Sequence, residues 1–237
     1  MHKLRLLSAF SKPLLAAALL LNASFASAVV NSTQSRLVFN EDSMAESLVL
    51  VNSERAPALV QVWSDDNNPL TPPDKISTPL IVVPPVFKLD AGESRNLRVM
   101  LLSRQGMPSD RERVYWLNIY QIPPNSQADS ADDKKVILPL RIRLKVFVRP
   151  VGLKAPGEDI GKSLAFALTN GALVITNPTP YYQTLGGLSL GDKLLTPLMV
   201  APKSSATVTV PSGINARQIS WSVIDDYGKQ TLYQRQL

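Results

Sequence analysis

The residue types that most often do chemistry are nearly missing from this chain of 237 residues. It has no cysteine, and its one histidine, His2, stands next to the start. The rest of the chain therefore holds no Ser-His-Asp or Cys-His nucleophilic site and no zinc bound by His or Cys. Carboxylates remain. Asp-Asp pairs occur at 65–66, 132–133 and 225–226, all in settings that read as loop or turn. A carboxylate-based hydrolase is thus disfavoured, and no metal or cofactor is expected. The chemistry that is left is charge recognition. Residues 136–150, "VILPLRIRLKVFVRP", carry apolar side chains at every even position from Val136 to Val148. Arg141, Arg143, Lys145 and Arg149 lie between them. Such alternation predicts a β-strand with one apolar and one basic face.

At ~3.3 Å per residue, a strand over 136–148 would span roughly 43 Å. That exceeds what one sandwich buries, because strands usually run to about five or six residues. It is either an unusually long core strand with a basic outer face or an edge strand offered to another chain. Exposed apolar edges are normally suppressed because they template aggregation. Where one persists, strand addition to a partner is the recurrent use. Burying Val136, Leu138 and Leu140 in a partner would contribute about 1.5–3 kcal/mol each.

The elements that must position this strand are also short and extended. The segments 36–39, 46–52, 58–64, 80–83, 94–102 and 113–122 alternate, with polar, Pro-rich loops at 65–75 and 123–135. A Gly/Pro-punctuated break follows at 151–162. Further strands are expected at 164–169, 172–177, 186–191, 206–210, 218–224 and 231–236. The reading is all-β: two immunoglobulin-like sandwiches, with an N-terminal domain at 29–150 and a smaller C-terminal domain at 151–237. Residues 1–28 read as a secretory signal peptide. Lys3, Arg5 and Lys12 precede a short apolar run, and Ala26-Ser27-Ala28 suits a signal peptidase. Those three cations supply half of the net charge of +6, so about +3 remains afterwards. That is weak evidence for a nucleic-acid or membrane partner. An exported chain without cysteine must be held by its cores alone.

At this point the residues resemble a known family. "MPSDRERVYWLNIYQIPP" (107–124) is similar to the signature segment of the periplasmic pilus chaperones, the PapD-like proteins of the chaperone–usher pathway. Asp110, Arg111, Glu112, Asn118, Ile122 and Pro123-Pro124 carry the match. "PPVFKLDAGESRNLRV" (84–99), "KVFVRP" (145–150), "NPTPYY" (177–182) and "IDDYG" (224–228) extend it over both expected domains. The resemblance implies a boomerang of two immunoglobulin-like domains with a cleft between them. It implies no catalysis, a periplasmic location, and pilus or fimbrial subunits and an outer-membrane usher as partners. Its G1 strand, here with Val136, Leu138 and Leu140, would complete a subunit that lacks its own last strand. Arg36 and Lys145 would hold the subunit's C-terminal carboxylate. Glu112, Arg149 and Asp226 would form an interdomain salt-bridge network.

Three features sit uneasily with an ideal version of that picture. Lys145 has the opposite parity to Leu138 and Leu140. The strand must therefore twist or bulge, or the cation must act from another face. Pro139 removes one backbone N–H from the donor stretch, which suits an edge. Loop 125–135 is intermediate in length, and without cysteines the disulfide of some long-loop members cannot form, which favours the short-loop branch. The competing expectation is a secreted structural or adhesive immunoglobulin-like protein such as a pilus subunit. The short, polar stretch "VVNSTQS" before Arg36 lacks the alternating apolar arm such a subunit would need. Self-association of the free protein is left open by the sequence.

Overall fold

The computed structural model describes residues 30–122, 139–213 and 218–237. Seventeen strands and two short 3-10 turns occur among them, with no α-helix, so no described helix could cross a membrane. The all-β expectation therefore holds, and the strands form two sandwiches.

The first sandwich contains β1 (Val30–Ser32), β2 (Arg36–Phe39), β3 (Ala45–Asn52), β4 (Ala58–Asp65), β5 (Leu80–Val83), β6 (Val86–Leu89), β7 (Ser94–Leu101), β8 (Arg113–Ile122) and β9 (Leu140–Val148). One sheet runs β1-β3-β7-β5 and the other β2-β9-β8-β4-β6. Alternation explains the layers. Along β5 and β6, buried and exposed residues strictly alternate, as period 2 requires of a strand with one face on the core. Leu48, Leu50, Val60, Leu97, Val99, Leu117, Ile119 and Val146 fill the space between the sheets.

The second sandwich comprises β10 (Ala165–Thr169), β11 (Ala172–Asn177), β12 (Gln183–Leu190), β13 (Lys193–Leu194), β14 (Met199–Val200), β15 (Ser204–Thr209), β16 (Gln218–Ile224) and β17 (Gln230–Gln236). Sheet β10-β11-β15 faces sheet β13-β12-β16-β17, with β14 also on β12. Its separate core centres on Trp221, Leu173, Ile175 and Leu188, and Trp221 touches the rings of Phe166 and Tyr233. The two sandwiches repeat one device. Asn52 and Asn177 are each fully buried at a strand end. Each donates to the carbonyl four residues on, Ala56 or Tyr181, and accepts from the N–H two residues on. A buried amide satisfied this way fixes the turn that follows it.

Several strands differ from the sequence expectation. β1 was read as polar lead-in, and three residues are too few to show a period. Val30 is nonetheless buried, and the buried Gln121 side chain bonds both its N–H and its carbonyl. β6 escaped notice because Pro84-Pro85 masks its start. β4 runs one residue further than expected, so Asp65 is not a loop residue but a buried strand end. A 3-10 turn at Pro73–Lys75 interrupts the loop after it. The described part of the long strand begins at Leu140; Val136 and Leu138 lie outside the described residues.

Polar contacts join the two sandwiches. The Arg149 guanidinium is 1 % exposed and fully paired. It reaches Glu112 at 2.9 Å, Asn40 at 2.6 Å and both Asp226 oxygens at 2.8 Å. Glu112 also accepts the Tyr182 N–H, and its own N–H bonds Pro180. Burial pushes the Glu112 carboxyl up, against the pull of Arg149 and that N–H. Asp110 meets Lys203 across the same joint. Gly228, at φ +88°, lies where a Cβ would come within 2.9 Å of Ser35 Oγ, so close approach there demands glycine.

Two stability measurements check this layout. Leu117→Ala empties a site with no solvent exposure and should cost about 2–5 kcal/mol in urea unfolding; an unchanged midpoint would take Leu117 out of the core. Arg149→Ala strands the Glu112 carboxylate and should cost about 3–5 kcal/mol. A loss under about 0.5 kcal/mol, the size of an ordinary surface change, would contradict the pairing described here.

Candidate strand-edge and anion site

β9 is the element around which the site forms. On one side it pairs with β8 along its whole described length, Leu140 to Val148. On the other it pairs with β2, in parallel, only from Lys145 to Val148. Residues 140–144 thus face no strand on that side among the described residues. The apolar row is graded in the same direction. Val148, Val146 and Leu144 are buried, Ile142 is partly covered, and Leu140 is 41 % exposed. Exposure thus rises toward the end nearest residues 136–138. Pro139 immediately precedes the strand, where a missing N–H breaks no ladder.

The parity problem has a simple answer. Neither ladder of β9 contains a register shift, so no bulge turns Lys145 around. The apolar row faces the opposing sheet, and the cations act from the opposite, outer face. Arg36 of β2 is the direct cross-strand partner of Lys145. Because strand neighbours in register share a face, the two cations stand side by side.

Their surroundings separate them from the other cations nearby. Arg149 is neutralised by Glu112 and Asp226, and Arg143 by Asp65. Arg36 and Lys145 are in no ion pair among the described residues. The Arg36 side chain is buried, donates one bond to the Ile224 carbonyl at 2.9 Å, and keeps a buried Nε–H without a partner. Its ring neighbour is Phe147, at 5.8 Å. The Lys145 ammonium lies 5.0 Å from the centre of the Trp116 ring. Burial lowers the pKa of both cations. Arg36 adds to the effect on Lys145, while the more distant Asp226, Asp225 and Glu112 partly offset it for Arg36. Two desolvated like charges without a counter-ion make a site that an anion would stabilise.

Arg36 also lines a cleft of about 500 Å³ between the sandwiches, together with Phe147, Tyr182, Ile224 and Tyr227. Among the described residues no group of three or more acidic, His or Cys side chains could hold a metal ion. Sequence reasoning missed Trp116, Phe147, Asn118 and the Asp65–Arg143 pair as parts of this face. Alternation within "RVYWLNIYQI" gives the parity of Trp116, but only the register with β9 places it opposite Lys145.

Comparison with known proteins agrees with this geometry. Residues 29–154 match the family described as "Pili and flagellar-assembly chaperone, PapD N-terminal domain". Residues 159–235 match "Pili assembly chaperone PapD, C-terminal domain". The chain is 36% identical over 220 residues to the chaperone protein FimB/FhaD of Bordetella pertussis, covering 90% of this chain and 88% of that one. It is 33% identical over 208 residues to the chaperone protein MrkB of Klebsiella pneumoniae, covering 84% and 87%. Among solved structures it resembles the Salmonella enterica SafB chaperone, solved in complex with the SafA pilin. The TM-score is 0.78 at 27% identity, over 90% of this chain and 99% of that one. The Escherichia coli chaperone DraB gives 0.73 at 30% identity, over 88% and 98%. With two immunoglobulin-like domains in order and both family segments matched, the chain belongs to the PapD-like pilus assembly chaperones, a family that catalyses no reaction.

Proposed function

We propose that this protein is a periplasmic chaperone that completes pilus subunits by lending them the strand at 136–148. Its domains would be 29–150 and 151–237, after removal of a signal at 1–28. The carrying observation is the pair of neighbouring cations, the buried Arg36 and the half-buried Lys145, that no carboxylate neutralises among the described residues, placed where the free edge of β9 begins. A guest strand lying along 140–144 would extend the sheet by main-chain hydrogen bonds. Its C-terminal carboxylate would end at the two cations, where charge-assisted bonds are short and strong. That anchor also sets the register, because a slip of one residue would turn every guest side chain to the wrong face.

Leu140 and, further along the sequence, Leu138 and Val136 would enter the guest's core. The exposure of Leu140 and the grading of burial along β9 support this direction. The Glu112–Arg149–Asp226 ion pairs would hold the two domains at the angle that keeps the cleft open, fixing orientation more than adding stability. That SafB was solved with a pilin supports pilus subunits as the guests here. Delivery to an outer-membrane usher completes the reading and rests on family membership alone.

Co-expression with a pilin subunit from the same locus tests it. Arg36→Ala and Lys145→Ala should leave the fold intact and lower recovery of a 1:1 complex by about 10-fold or more, as losing a charge-assisted bond implies. Leu140→Glu should also block the complex without unfolding the chaperone, since that side chain is exposed in the free protein. Undiminished complex with both cation variants would remove the anchor; full activity of Leu140→Glu would remove the donor strand.

A further inference from the structure

The Lys145 ammonium has to be fixed in place to work as half of an anchor, and among the described residues no oxygen fixes it by a hydrogen bond or ion pair. A lysine side chain has four rotatable bonds and about 2 kcal/mol of rotamer entropy to lose. A carboxylate partner, which is not seen at this ammonium among the described residues, would hold it but would also neutralise it. Beside the like-charged Arg36, its neighbour on the other strand is an indole: Trp116, its cross-strand partner on β8, with the ring centre 5.0 Å from Nζ. The same ring carries a second cation, the Arg143 guanidinium, at 4.6 Å. Arg143 is tied at 2.6 Å to Asp65, which is buried and also accepts from Asn118 Nδ2 at 2.6 Å. Asp65, Trp116, Lys145 and Arg36 lie in one register row across β4, β8, β9 and β2.

We infer that Trp116 is the positioning residue of the carboxylate anchor, holding the Lys145 ammonium over its ring face while leaving its charge unspent. This rests on the reading of Arg36 and Lys145 as that anchor. A ring quadrupole attracts a cation without carrying a net charge, so the ammonium keeps its full charge and the N–H groups turned away from the ring stay available to a guest oxygen. Arg143 serves a different end. Its charge is already met by Asp65, so it does not compete for the guest carboxylate. It packs on the indole and keeps the ring from turning away. The ring therefore lies between a neutralised cation, which fixes it, and an unneutralised one, which it fixes.

The test compares two forms of one probe on the full mature chaperone. The probe is a synthetic peptide copying the last fifteen residues of a pilin subunit encoded beside the chaperone, made as the free acid and as the C-terminal amide. Wild type should bind the acid about 10-fold or more tighter than the amide. Lys145→Ala should close that gap. Trp116→Leu should reduce it about 3- to 10-fold while leaving amide affinity unchanged, and Trp116→Phe should restore most of it. Should Trp116→Leu fail to fold, site-specific mono-, di- and trifluorotryptophan at position 116 keeps the shape and weakens the ring face. The acid–amide gap should then shrink stepwise. If Lys145→Ala keeps the gap, the anchor reading itself fails. If Lys145→Ala closes it while Trp116→Leu and the fluorinated series do not change it, or if Trp116→Leu weakens both peptides equally, the positioning role is overturned.

Discussion

The arrangement turns on one electrostatic constraint: two cations, one buried and one half-buried, are held side by side with no ion pair of their own among the described residues. Most buried charges in the molecule obey the usual rule that a buried charge is paired. Arg149 has three partners and Arg143 has Asp65. Arg36 and Lys145 break the rule in neighbouring positions, and the free protein bears the cost as lowered pKa values. Local departures of this kind mark places where stability has been exchanged for readiness to bind. The rest of the first sandwich makes the departure tolerable. Its core and the parallel β2–β9 pairing hold the two backbones in register, so the cations cannot simply drift apart.

The same constraint explains why the free edge and the cations belong together. An open strand edge is a hazard because it accepts any extended chain in any register. On the proposed reading, a fixed charge pair at the point where the edge closes would admit a chain that ends there and penalise one that continues past it. The apolar gradient along β9 then assigns opposite ends of the strand to opposite tasks. Val146 and Val148 belong to the chaperone's own core, and Leu140 is exposed, as the proposed donor role requires. Ile224 of the second sandwich accepts a hydrogen bond from Arg36, so the proposed anchor would be built from both domains.

Much of this was legible in the sequence, for identifiable reasons. Long alternating segments such as "RVYWLNIYQI" and "ALVITN" gave strands whose limits match those of β8 and β11, because a half-buried strand must alternate. β1, with three residues, gave no period, and its place depends on Gln121, ninety-one positions away. The identities of Arg36 and Lys145 came through family likeness. No local rule connects residues more than a hundred apart that meet across a parallel pair. The Asp65–Arg143 pair and the place of Trp116 were hidden for the same reason: they depend on sheet register, which is set by the core. The opposite parity of Lys145 and the apolar row is no obstacle to the proposal, because the two lie on opposite faces of β9 without a bulge.

The most direct measurement of the central claim is the pKa of the Lys145 ammonium, followed by 15Nζ NMR in the free chaperone and again with a pilin subunit bound. Burial and the neighbouring Arg36 should hold it below the ordinary lysine value of 10.5 in the free protein. Arrival of the guest carboxylate should raise it, because an adjacent anion favours the charged form. A value that starts at the ordinary lysine level, or one that does not rise when the subunit binds, would contradict the account.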